Sequence, residues 1–111
     1  MKVGKELLKG STVILVLTLL DRKDMYGYEM VRELEQRSGG ILNLKEGTLY
    51  PILHSLESDG LVEAYWDEQG SRPRKYYRIT GKGKKQLEER KQEWSLFSGA
   101  VNRVLGEGGA G

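Results

Sequence analysis

A chain of 111 residues has room for one domain of ordinary size, and 38% apolar residues supply one modest core. Eighteen Lys and Arg against sixteen Asp and Glu leave a net charge of +2, too small by itself to name a partner. There is no cysteine and His54 is the only histidine, which sets aside disulfides, thiolate metal sites, cysteine nucleophiles and multi-histidine centres within one chain. Neither an enzyme nor a cofactor-binding protein is expected.

The first expected helix runs from Lys5 to Leu20. Its apolar stretch, Val13 to Leu20, follows Lys2, Lys5 and Lys9, as the core of a signal peptide would. Asp21-Arg22-Lys23-Asp24 stands where a small-residue cleavage site should be, and the stretch is far shorter than the roughly 20 residues that cross a bilayer. It reads as a buried helix of a cytoplasmic protein with no membrane partner. Being apolar nearly all round, it needs cover on more than one side, which a small monomer rarely arranges.

A second helix is expected from Tyr26 to Ser38, with Met30, Val31 and Leu34 inward and Gly39-Gly40 ending it. The third, Glu46 to Asp59, has the clearest pattern in the chain. Leu49, Ile52, Leu53 and Leu56 follow the i, i+3, i+4, i+7 spacing of a single apolar stripe. The opposite face carries Gly47, Pro51, His54 and Ser58, flanked by Thr48, Tyr50 and Ser55, and no carboxylate.

After Gly60 the period changes to two. Leu61 to Trp66 and Lys75 to Ile79 read as strands joined by a polar loop, and Trp66 is expected to pack at the hairpin base. Thr80 then caps a last helix, Gly81 to Leu105. Gly81-Lys82-Gly83-Lys84-Lys85 imitates a phosphate loop only in part, with no parallel sheet to host it. The fold class expected is mostly α with a small β-hairpin: a winged helix-turn-helix over residues 1–80, a dimerisation helix over 81–105 and a disordered tail over 106–111.

The small net charge hides a split. Glu46 to Asp67 contains five carboxylates and no Lys or Arg, whereas Arg72 to Lys85 contains seven basic residues and no acidic one. A basic arm with interleaved tyrosines suits phosphate contacts, since each phosphate neutralised releases counterions. Double-stranded DNA is therefore the expected partner, met by recognition helix 46–59 and basic wing 67–75. On the helix, Lys45, Gly47, Thr48, Tyr50, Pro51, His54 and Ser55 are the candidate contacts: hydrogen-bonding groups for base edges, and Pro51 for a thymine methyl. His54 reads equally as a plain exposed histidine. On the wing the candidates are Arg72, Arg74 and Lys75.

In the last helix Leu87, Trp94, Phe97, Val101 and Val104 are spaced 7, 3, 4 and 3, a short heptad-like seam. With Leu15 of the over-apolar first helix, they form the expected homodimer interface.

Four pieces in order make the chain resemble the PadR family of bacterial transcriptional regulators: Tyr26-Gly27-Tyr28-Glu29, Glu46-Gly47-Thr48-Leu49-Tyr50-Pro51, Leu56-Glu57-Ser58-Asp59-Gly60-Leu61-Val62 and Arg74-Lys75-Tyr76-Tyr77-Arg78-Ile79-Thr80. The resemblance spans residues 5 to 105, and the single terminal helix is similar to the small subfamily. It implies a homodimeric repressor on a palindromic operator, with Thr48, Tyr50 and Pro51 at the DNA. Ser55 departs from the basic residue many relatives carry there, which shifts phosphate contact onto the wing. The resemblance also implies a small aromatic or hydrophobic effector at the dimer interface beside Trp94 and Phe97, although Trp94 reads equally as a plain seam residue. The competing function class is a winged-helix protein-interaction module that does not bind DNA.

Overall fold

The computed structural model of the chain describes residues 3–106. In chain order it forms α1 (Lys5–Arg22), β1 (Met25–Tyr26), α2 (Gly27–Arg37), α3 (Glu46–Ser58), β2 (Val62–Asp67), β3 (Arg74–Ile79) and α4 (Gly81–Leu105). The strands make one antiparallel sheet in the order β1-β3-β2, with Val62 opposite Ile79 and Asp67 opposite Arg74 across the hairpin. The hairpin and the helix order match expectation.

The third strand of the sheet does not. Met25 pairs with Tyr77 and Tyr26 with Tyr76, so Tyr26 lies in β1 and α2 begins one residue later than expected. Two residues carry no readable period, and the exposed edge of β3 supplies the ladder that holds them. Gly106 ends α4 in the left-handed conformation, at φ +79°, so it is a helix cap rather than the start of a disordered tail. Residues 107–111 of that tail lie outside the described residues.

The core sits where α1, α2 and α3 meet the inner face of the sheet. Val16, Leu17 and Leu20 from α1, Met30 and Leu34 from α2, and Leu49, Leu53 and Leu56 from α3 are buried with Met25, Val62, Tyr77 and Ile79. Burial drives the Tyr77 hydroxyl's pKa up, with the Glu57 charge adding to it, so the ring stays neutral in the core. Leu87 joins this cluster at 1% exposure. It is therefore an anchor of α4 to its own domain and not a dimer-interface residue; the heptad spacing included it because the first turns of α4 lie on β3 and α1 before the helix runs free.

That junction is tight. Thr80 Oγ1 accepts from Gly83 N at 3.0 Å and donates to the Gly60 carbonyl at 2.7 Å, capping α4 and closing α3 at once. A Cβ on Gly83 would collide with the Leu61 carbonyl oxygen and lie 2.8 Å from Ile79 Cγ1. Gly83 thus serves helix-to-sheet packing, not a phosphate. Gly83→Ala is expected to cost about 3 kcal/mol, at the upper end of overpacking, because a backbone atom has to give. Thermal unfolding should show a fall in Tm of well over 10 °C, by about 4–8 °C per kcal/mol.

Candidate nucleic-acid interface

One face of α3 is left open by the packing just described. Leu49, Leu53 and Leu56 point inward, which turns Gly47, Thr48, Pro51, His54 and Ser55 to solvent. Lys45, at the N-cap position, is exposed and makes no side-chain capping bond. Pro51 stands inside the helix in its second turn and has no N–H, so the Gly47 carbonyl lacks its usual i+4 donor. The face carries no ion pair among the described residues.

Tyr50 departs from this open row. Its ring and hydroxyl lie against Gly27 at the start of α2, where an added Cβ would come 2.5 Å from the oxygen. Burial there raises the hydroxyl's pKa, with the Glu46 and Tyr77 charges adding and Lys75 opposing, so it stays a donor. Tyr50 therefore helps set the packing of α3 on α2 and offers its edge to the outer face. Gly27→Ala is expected to swing Tyr50 outward at a stability cost of about 1 kcal/mol. Combined with Tyr50→Ala most of that cost should vanish, a coupling of about 1 kcal/mol measurable by urea unfolding.

The wing residues divide between two faces of the sheet. Arg74, Tyr76 and Arg78 share the outer face; Lys75, Tyr77 and Ile79 share the inner one, by strand alternation. Arg74 lies over the Tyr26 ring at 4.5 Å, and Tyr26, Tyr76 and Tyr65 form a continuous aromatic row. Tyr65 donates to Asp24 Oδ2 at 2.7 Å, and that bond, more than burial, raises its pKa. Arg72 and Arg74 flank a hollow of about 270 Å³ at the wing tip with Gln69, Gly70 and Ser71. Lys75 lies over Tyr77 on the side that faces Tyr50.

Not all the basic run is free. Arg78 pairs with Glu63 at 3.6 Å and covers Tyr65, and Lys82 donates to the Asp59 carbonyl at 2.8 Å, closing the C-terminus of α3. Arg72, Arg74 and Lys75 have no carboxylate partner among the described residues. Trp66, expected to pack at the hairpin base, is instead 62% exposed opposite Lys75, because β2 extends past the core at that point. Period-two alternation assigns Trp66 its face correctly; it cannot say where the core under that face ends.

A family model described as "Transcriptional regulator PadR-like family" matches residues 16–89, from the second half of α1 through the wing into α4. The chain belongs to this family. A solved PadR family transcriptional regulator from Eggerthella lenta is 40% identical, with a TM-score of 0.81 over 90% of this chain and 86% of that one. A transcriptional regulator from Clostridium thermocellum is 31% identical, with a TM-score of 0.84 over 91% of this chain and 96% of that one. The transcriptional regulator YqjI of Escherichia coli is 29% identical over 79% of this chain, which spans only 41% of its length. The chain is thus a PadR-like transcriptional regulator with a winged-helix fold.

This PadR-like chain leaves a second surface bare. Beyond Leu87, α4 carries Trp94 at 47% exposure, Phe97 at 59% and Val104 at 88%, with Val101 also exposed. Leu105 on α4 and Leu7 on α1 add to this apolar surface, and neither was expected from the seam spacing; Leu96 is exposed on another face of α4. Leu15 is half-buried, near Thr18 and Leu42. The Trp94 and Phe97 rings lie 6.2 Å apart beside a groove of about 360 Å³ between α1 and α4. Arg90 also lines that groove, and its Nε is buried without a hydrogen-bond partner among the described residues. Among the described residues no helix is long and apolar enough to cross a membrane.

Proposed function

We propose that the chain is a homodimeric repressor that binds a palindromic operator in double-stranded DNA, and that it is not an enzyme. The observation that carries this reading is the α3 face: small, uncharged and open, beside a wing whose Arg72, Arg74 and Lys75 make no ion pair among the described residues. An α-helix without carboxylates on its outer face enters the major groove without repelling phosphate. Thr48, His54 and Ser55 supply hydrogen bonds to base edges, Pro51 and the outer edge of the Tyr50 ring supply apolar contacts, and Gly47 allows close approach. Lys45 and the wing cations meet phosphates; Trp66 lies beside Lys75 to pack on a sugar.

The same reading takes residues 1–80 as the DNA-binding unit and 81–105 as the dimerisation helix. Leu15, Trp94, Phe97, Val101 and Val104 form the interface between two copies, and its two-fold symmetry dictates the palindrome. The Trp94–Phe97 groove takes a small aromatic effector, for which the unpartnered Arg90 Nε offers a hydrogen bond. A bacterial reporter behind the chain's own upstream region tests the repressor role. Expression should lower reporter output several-fold; unchanged or raised output would contradict repression.

A further inference from the structure

A groove of about 640 Å³ runs between the N-terminal half of α1 and the start of α3. It lies on the far side of α1 from Trp94. Leu8, Val13, Leu44 and Ile52 form its apolar lining, with Pro51 and Thr48 where it opens onto the outer face of α3. Thr12 Oγ1, in the same lining, already donates to the Leu8 carbonyl at 2.8 Å, so its proton is spent within the chain. Such a lining suits hydrocarbon, and the volume suits a small ligand.

The rim has one sign. Lys5, Lys9 and Lys45 border the groove, and none has a carboxylate partner among the described residues. Lys5 and Lys9 are four residues apart on α1, where like charges repel each other. An anion between them would relieve that repulsion. DNA alone explains the lysines but leaves the apolar lining unused.

We infer that this groove binds an amphipathic monoanion, a carboxylate with an aliphatic or aromatic tail, with the carboxylate among the three lysines and the tail on the lining. A ligand seated there lies along Thr48 and Pro51. On the DNA-binding reading given above, it would therefore compete with the operator; binding of the ligand itself does not depend on that reading.

Decanoate is the probe, titrated into the full chain without DNA and followed by methyl NMR. Saturable shifts are expected at the Val13 and Ile52 methyls, and none at Ile14, which lines the Trp94 groove instead. Decanol and the Lys5→Gln/Lys9→Gln variant should each bind at least tenfold more weakly, about tenfold being the effect of removing one charge-assisted hydrogen bond. Val13→Trp, at a half-buried position, should fill the groove and abolish the shifts while the chain stays folded. No shift up to about 1 mM decanoate, shifts centred on Ile14, or equal binding of decanol would each overturn the site. A groove already filled by a second copy would give the first of these. Should the chain bind no DNA, the methyl shifts still decide the ligand site.

Discussion

Replacing Arg72, Arg74 and Lys75 together by alanine is expected to lower affinity for DNA about 100-fold at physiological salt, for all sequences alike. The slope of log affinity against log salt should become shallower by about 1 for each phosphate that is no longer neutralised. The fold should be untouched, since none of the three is in an ion pair among the described residues and the strand ladder is backbone. The cost falls unequally. Arg72 and Arg74 flank the tip hollow on the outer face, while Lys75 lies on the inner face toward Tyr50. Lys75→Ala alone should therefore weaken binding less than either arginine substitution. Anisotropy titrations at several salt concentrations read both quantities, and an unaltered slope in the triple variant would remove the wing from the interface.

Phe97→Asp combined with Val104→Asp should convert the proposed dimer to a monomer. Both side chains are exposed in the single chain, so the carboxylates cost the fold little, whereas a buried interface leaves them desolvated and unpaired. Two linked binding units gain about 10²–10⁴ in affinity over one, and the variant should lose a comparable factor on a palindromic site. Light scattering gives the mass and circular dichroism the retained helix. A variant that stays dimeric would move the interface off this half of α4. By contrast Leu87→Ala should leave the mass unchanged and cost about 2–5 kcal/mol of stability, because Leu87 lies in the core.

The elements with strong periods were legible in the amino-acid sequence, and their outward faces with them. Leu49, Leu53 and Leu56 define the inner side of α3, and the exposed row from Gly47 to Ser55 follows by geometry alone. What escaped depends on long-range packing. Tyr26 is a strand residue only because Tyr76 lies beside it, and Trp66 is exposed because the core stops short of it. The seam on α4 mixed two environments: Leu87 is held by the domain, and Trp94, Phe97, Val101 and Val104 project beyond it. A spacing pattern cannot mark where a helix leaves its own core. The seat of Tyr50 on Gly27 was likewise hidden, since glycine announces room for a neighbour without naming it.

The same limit governs the basic run. Seven cations between Arg72 and Lys85 suggest one continuous patch, yet Arg78 is held by Glu63 and Tyr65, and Lys82 by the end of α3. Strand alternation places Arg74 and Lys75 on opposite faces. The candidate phosphate contacts are consequently fewer and better placed than composition suggests.

The most direct test of the central claim is fluorescence anisotropy of the purified chain on its own upstream DNA, against a scrambled duplex of equal length, across a salt series. The account predicts tighter binding to the upstream DNA, a steep fall with salt and one dimer per site. Equal affinity for both duplexes at every salt, or no binding to either, would contradict it.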